Sequence, residues 1–454
     1  MRRFLPHAAA AASGALMALS LPLALPLGSL REVDPRGRLE VLAWVALVPA
    51  ILAVRSAPTW RGAFSRGLVA GIAFFYAAIW WVSHAMTSFG GLPLALSLLA
   101  LTLLVLYMAV HWAVAFAVSW KIRDALGWPL WTHLPFVWAA LELSRNYFLT
   151  GFPWANLGYT QARTLPVAQL AAVAGVYAIA ALVVLVNAAL AEALAARRER
   201  RPLPWRALGS AAMLVAGIYA SGLIRLSTVR ARMAAAPSIT VGIVQPNVDQ
   251  SVKNRMRENA DWILSRLVPL TVEADRAGAD LVAWPEATYP LYLPSRIPSL
   301  AMPEAKLPRL DRAHLLMGAV TLETVRGAGG GLVNRVGNVS FLLTPRLDVI
   351  GKYQKHHLVP FGEYVPMAWL LGSFLRQIVP GFAPSTPGSA LEVLEFTPAG
   401  RASASADAAK PTSMASASST PTSTATATPA TTPTPTPAST PMATSTSTPT
   451  PTST

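Results

Sequence analysis

Before residue 225, long apolar runs alternate with short polar breaks, and this rhythm predicts a bundle of membrane-spanning helices. A hydrocarbon core about 30 Å thick asks for roughly 20 such residues per helix. Seven candidate spans are read at 8–30, 39–54, 62–85, 92–120, 128–144, 165–195 and 206–224. The second is short, and the first contains Pro22 and Pro26, which would kink it or split it into a re-entrant pair. From Ser238 the pattern shortens to the β-rich runs SITVGIVQP, ADLVAWPEATY, HLLMGAVTL, GNVSFLLTP and LEVLEF, separated by helical or loop stretches such as 252–278. Strands alternating with helices predict a layered α/β domain, and the uninterrupted run LLMGAV predicts a sheet buried on both faces. From Pro411 to Thr454 every residue is Pro, Thr, Ser, Ala or Met, a composition that predicts disorder with extended polyproline-like stretches. The chain therefore divides into a bundle of about seven helices at 1–224, an α/β domain at 225–397 and a disordered tail at 398–454.

Composition agrees with the bundle: 53% of the residues are hydrophobic, and mean hydropathy is +0.43, more apolar surface than one soluble core uses. The net charge of +15 is read as membrane topology rather than nucleic-acid binding, because no basic stretch is interleaved with aromatics on a soluble module. With a retained first helix, Arg55, Arg61, Arg66, Lys121, Arg123 and the Arg197–Arg206 cluster all fall on one side, which the positive-inside rule makes cytoplasmic. Seven crossings then place the α/β domain on the periplasmic face of a bacterial inner membrane. A cleaved secretory signal behind Arg2 and Arg3 is the competing reading of the first run.

Glu286 follows Trp284 and Pro285 at the end of a predicted strand, where open α/β sheets place functional groups. Lys355 stands 69 residues later, followed by His356, His357 and then Glu363 in PFGE. Taken alone, Glu286 is a loop carboxylate and Lys355 a solvated lysine. The paired histidines carry no metal reading, since neighbours on a strand point to opposite sides and no third ligand has a familiar spacing. Glu142 and Arg145, three apart in a predicted helix, read first as an ion pair and second as a substrate contact. Trp154 in GFPWANLGY is either an interfacial anchor or a residue lining the path of a lipid.

Together, AWPEATYP and GKYQKHHLVPFGEYVP closely resemble the motifs of apolipoprotein N-acyltransferases, the membrane-embedded branch of the nitrilase superfamily. LELSRNYFLTGFPWANLGYTQ at 141–161 and VGIVQPNVDQSVK agree, and the resemblance covers 1–397. It implies a polytopic helical membrane domain followed by a nitrilase-like αββα sandwich. It also implies two-step acyl transfer: a cysteine thiolate takes an acyl chain from a phospholipid, then passes it to the amine of a diacylated lipoprotein. No cofactor is implied. Glu286 matches the general base, Lys355 the ammonium that faces the oxyanion, and Glu363 a second carboxylate that orients the lysine. Substrate contacts are implied at Trp154, Tyr289 and Asn254, the last standing where the family commonly has a tryptophan after the lysine matched by Lys253.

The chain departs from the resemblance in one decisive respect: it contains no cysteine. The family's nucleophile follows the lysine motif in an ICYE-like segment, with more sheet and a last helix beyond. Here LEVLEFTPAG passes directly into the low-complexity tail. The expectation is a C-terminally truncated, catalytically dead chain. The rival readings are a pseudoenzyme that binds lipoprotein or phospholipid and a membrane-anchored nitrilase-type amidase.

Overall fold

The computed structural model describes residues 4–22, 39–88, 90–253, 255–326, 331–360, 362–365, 368–369 and 384–398. Nine of its helices precede residue 236: α1 Leu5–Leu19, α2 Val48–Arg55, α3 Trp60–Ile79, α4 Trp81–Ser88, α5 Leu94–Leu126, α6 Leu130–Ser144, α7 Leu165–Ala168, α8 Ala171–Arg198 and α9 Trp205–Ala235. Four of these, α3, α5, α8 and α9, are long and apolar enough to cross a membrane. They coincide with four of the seven predicted spans.

The other three predicted spans are shorter or broken. α1 has 15 residues and ends at Leu19, three positions before Pro22, and positions 23–30 of that span lie outside the described residues. α6 also has 15 residues, starting after Pro129 and carrying Pro135 inside it. The run 39–54 divides into a 3₁₀ segment, Leu39–Trp44, and α2, because Pro49 in the first turn of α2 has no N–H to extend the ladder backwards. Two buried side chains repair that break. Asn187 of α8 accepts from the Leu47 N–H at 2.8 Å and donates to the Ala43 carbonyl at 2.7 Å. Ser13 of α1 accepts from the Ala50 N–H at 2.9 Å and donates to the Ala46 carbonyl.

Without a water-driven hydrophobic effect inside lipid, helices associate through close packing of small residues. α3 supplies such a stripe in Gly67-Leu-Val-Ala-Gly71, which lies against Ala109 and Ala113 of α5. A Cβ on Gly71 would come 2.8 Å from the Ala109 Cα, and one on Gly67 would come 2.9 Å from the Ala113 Cα. Beside this seam Phe74 stacks on Trp112 and Trp112 meets Trp138 at a tilt, with centroids 4.7 Å apart at each step. The basic residues read as one-sided do gather at one end. Arg55 pairs with Glu192 and Glu199, Arg123 donates to the Arg55 carbonyl, and both Arg61 and Lys121 lie over the Trp60 ring. α9 runs eleven residues past the predicted boundary at 224, so that boundary falls inside a helix.

After α9 come α10 Gln250–Lys253, α11 Ala260–Arg276 and one five-stranded sheet: β1 Val241–Ile243, β2 Leu281–Ala283, β3 His314–Arg326, β4 Leu332–Leu343 and β5 Val349–Gln354. Its order is β1-β2-β3-β4-β5, with parallel pairing from β1 to β3 and antiparallel pairing from β3 to β5. The sheet is mixed, and among the described residues it is the one sheet layer. α11 packs its apolar side, Ile263, Leu264 and Leu267, into the same core as Val282, Leu315, Met317 and Phe341. Buried Asp275 closes the far end by accepting from the backbone N–H groups of Asp311, Arg312 and Ala313. LEVLEF is not a strand. Leu394 approaches Gly351 of β5 and Phe396 meets His314 of β3, so the segment crosses strands instead of pairing along an edge, and Leu391 and Val393 face outward.

Candidate active site

β2 ends at Ala283 and its direction continues for one residue, the Trp284 N–H donating to the Leu316 carbonyl at 2.8 Å. The Trp284 indole is buried and donates to the Thr271 hydroxyl on α11 at 2.8 Å. Pro285 then stops the ladder, Ala287 takes a left-handed φ of 45°, and the N–H groups of Thr288 and Tyr289 both reach the Gly318 carbonyl at 3.0 Å. Only glycine fits at 318, since a Cβ there would stand 2.3 Å from the Pro285 carbonyl oxygen and 2.9 Å from the Glu286 Cα. This clamp delivers Glu286 to the C-terminal edge of a parallel strand.

Lys355 arrives from the end of β5. Its N–H donates to the Asn338 carbonyl at 2.8 Å and its carbonyl accepts from the Gly388 N–H at 2.9 Å, so its backbone is held on both sides. Glu363 is fixed by a reciprocal pair: its N–H donates to the Val359 carbonyl, and its Oε2 accepts from the Val359 N–H, each at 2.8 Å. The three side chains named from sequence converge. Lys355 Nζ lies 2.9 Å from Glu286 Oε1 and 3.0 Å from Glu363 Oε2. Asn338 on β4 completes the cluster, donating through its amide to Glu286 Oε1 at 2.6 Å and to Glu363 Oε1 at 2.9 Å.

The electrostatics follow from that geometry. The hydrogen bond from Lys355 holds the Glu286 carboxyl below its ordinary range, against a smaller opposing effect of burial. Burial pulls Lys355 down, but its bonds to Glu286 and Glu363 outweigh this and leave the ammonium above its ordinary value. Burial pushes Glu363 up, yet donation from Asn338, Val359 and Lys355 leaves it below the usual carboxylate range. All three groups are therefore ionised near neutral pH. The Glu286 side chain is 63% exposed and Glu363 only 16%, so the first is open to a ligand and the second is a support.

The remaining predicted positions separate. Trp154 is half exposed, packs edge-on against Trp81 at 5.2 Å, and lines an apolar cavity of about 400 Å³ with Ile79, Pro153 and Tyr159. Tyr289 is a core residue. It is 2% exposed, its hydroxyl donates to the Ala305 carbonyl at 3.0 Å, and burial pushes it up to about 12, so its ring alone touches a neighbouring pocket. Asn254 lies outside the described residues. Glu142 and Arg145 do pair, at 3.8 Å, and both are buried, with Arg145 also donating to Asn156 and lying over the Phe75 ring. His356 donates from Nδ1 to the Gly388 carbonyl at 2.7 Å.

The amino-acid sequence matches two family models in tandem. Residues 13–189 match the apolipoprotein N-acyltransferase N-terminal domain, and residues 240–404 match carbon-nitrogen hydrolase. A protein of Geobacter metallireducens named apolipoprotein N-acyltransferase is 36% identical over 391 residues, covering 84% of this chain and 69% of the relative. The chain belongs to the apolipoprotein N-acyltransferase family. Proteins of the same name from Rhizobium rhizogenes, 32% identical over 319 residues, and Ralstonia nicotianae, 31% identical over 385 residues, are also similar. They are covered to 57% and 69% of their lengths, and this chain to 68% and 81%. Membership places the chain in the nitrilase superfamily, among membrane-embedded acyltransferases, and agrees with its four membrane-capable helices.

Two members of the cluster were not legible as site residues. Asn338 was hidden in GNVSFLLTP, where a lone amide inside an apolar strand was the available signal. Gly318 interrupts the apolar run of β3, and a glycine inside a strand is itself a sign of close backbone approach.

Proposed function

We propose that this chain binds a phospholipid acyl donor and a diacylated lipoprotein acceptor, with Glu286 as base, Lys355 as oxyanion partner and Glu363 with Asn338 holding the lysine. The observation that carries this reading is the shared contact of Lys355 Nζ with two carboxylates, one exposed and one supporting. While Glu286 is paired with Lys355 it is a weak base. Were a nucleophile, which the chain itself does not supply as a thiol, to add to an ester in the cleft, the ammonium would turn to the resulting oxyanion and release Glu286, whose proton affinity would then rise. Glu363 and Asn338 keep the ammonium within reach during that exchange. By the distribution of basic residues, the bundle sits in a bacterial inner membrane and the nitrilase-like domain on its periplasmic side.

These 454 residues include no cysteine, so no thioester forms on them. That fact favours a second reading, in which the chain holds lipoprotein or phospholipid without turnover. The test is incubation of the purified protein with phosphatidylethanolamine and a diacylated lipopeptide, followed by mass spectrometry and equilibrium binding. Saturable binding of both lipids without product is the expected result. Any acyl-protein or triacylated peptide refutes the inert site, and failure to bind either lipid refutes the whole reading.

A further inference from the structure

A pocket of about 240 Å³ lies beside the carboxylate–lysine cluster. Lys253, Arg255, Arg257 and Glu258 line it together with Tyr292 and Val320. Three cations against one carboxylate give the lining a charge of +2. Among the described residues none of the three cations forms an ion pair. Many surface arginines are unpaired; convergence of three cations on one concavity is what sets these apart. The Arg257 guanidinium is also steadied over the Tyr292 ring, 5.5 Å from its centroid, which leaves its edge free to donate.

The pocket's position gives it meaning. Val320 is the direct cross-strand partner of Asn338, and directly opposed residues of an antiparallel pair share a face, with Cβ atoms about 5 Å apart. Asn338 is the residue that bridges Glu286 and Glu363. The segment from Glu286 to Leu293, which carries Tyr292, is tied to the same strand, riding along β3 through the Gly318 and Val320 carbonyls. A basic pocket thus sits one side chain away from the groups that would act on an ester.

We infer that this pocket is a phosphodiester subsite, holding the headgroup phosphate of the phospholipid donor while its acyl ester lies at Glu286 and Lys355. The inference rests on the reading of the site given above. A glycerophospholipid carries an anionic diester and an acyl ester a glycerol unit apart, which is the order in which pocket and cluster occur. Guanidinium groups match phosphate oxygens in fork geometry.

The test uses the full chain in nonionic detergent and titrates three probes: dihexanoyl-phosphatidylethanolamine, dihexanoylglycerol and inorganic phosphate. Arg255→Ala with Arg257→Ala is expected to weaken the phospholipid about tenfold or more and to leave dihexanoylglycerol unchanged. Arg255→Lys with Arg257→Lys, which keeps the charge but loses the fork, restores only part of the affinity, and inorganic phosphate competes only weakly. Both arginines are exposed, so the variants report binding rather than folding. Equal affinity for the two lipids, or no effect of the double alanine change, overturns the subsite. Phosphate binding as tight as the lipid's also overturns it, by making the pocket a general anion site. A diacylated lipopeptide arm separates the two claims: lipopeptide binding without a phosphate effect sinks the subsite alone, and binding of no lipid at all sinks both.

Discussion

Glu142 with Arg145, and Glu286 with Lys355, are both carboxylate–cation pairs, but they live in different solvents. The first pair is sealed within the bundle, its side chains 4% and 1% exposed; its hydrogen bonds with Asn156 and the Leu157 N–H tie α6 to the loop that carries Trp154, and Arg145 also lies over the Phe75 ring of α3. The second stands at a sheet edge, 63% and 26% exposed, with a second carboxylate and an amide behind it. Burial converts one pair into a brace, because neither charge can be left alone out of water. Exposure leaves the other free to exchange partners, which is what a reacting group needs.

The largest effect expected from this contrast is on stability. Arg145→Ala strands Glu142 in the bundle and is expected to cost about 3–5 kcal/mol, whereas Glu286→Gln costs at most about 1 kcal/mol. Thermal and denaturant unfolding of the two variants in the same detergent measures the gap, and equal costs would erase the distinction between brace and site. A smaller change is expected from Gly318→Val, which pushes a side chain into the Pro285–Glu286 turn at a cost of about 1–3 kcal/mol. Its signature in a structure of the variant is displacement of Glu286 from Lys355 with the bundle unaltered.

The smallest effect is a titration. Glu286 and Glu363 are held below their ordinary values, so the stability each contributes is complete above the unfolded carboxylate range and is lost as pH falls through the folded value. Lys355 is held above its ordinary value, so its contribution is complete below the unfolded lysine range and is lost as pH rises through the folded one. Lys355→Met is expected to move the Glu286 midpoint upward, read by carboxylate NMR. An unchanged midpoint would mean that the lysine does not set the state of the base.

Much of this was legible in the sequence, for identifiable reasons. Glu286, Lys355 and Glu363 sit in strings that resemble the motifs of a known family, so they could be named before any geometry. Asn338 and Gly318 act through register and backbone contact, and nothing local in a strand reports which residue lies opposite it. Hydropathy located the spans, but it counts apolar side chains and is blind to a broken backbone ladder, so 39–54 read as one helix. LEVLEF reads as a β-rich run, and only the course of the chain across β5 and β3 shows why it does not pair.

The break at residues 45–48 has a consequence for how the protein is made. The Leu47 N–H is matched by Asn187, 140 residues further along the chain. At synthesis rates of 5–20 residues per second, roughly 7–28 s separate the two in translation. Through that interval the early segment carries a backbone group that lipid cannot satisfy. Its final seat in the bilayer is therefore a late event, reached only when α8 has been inserted beside it, and a ribosome stalled before Asn187 leaves the N-terminal third of the bundle unlocked.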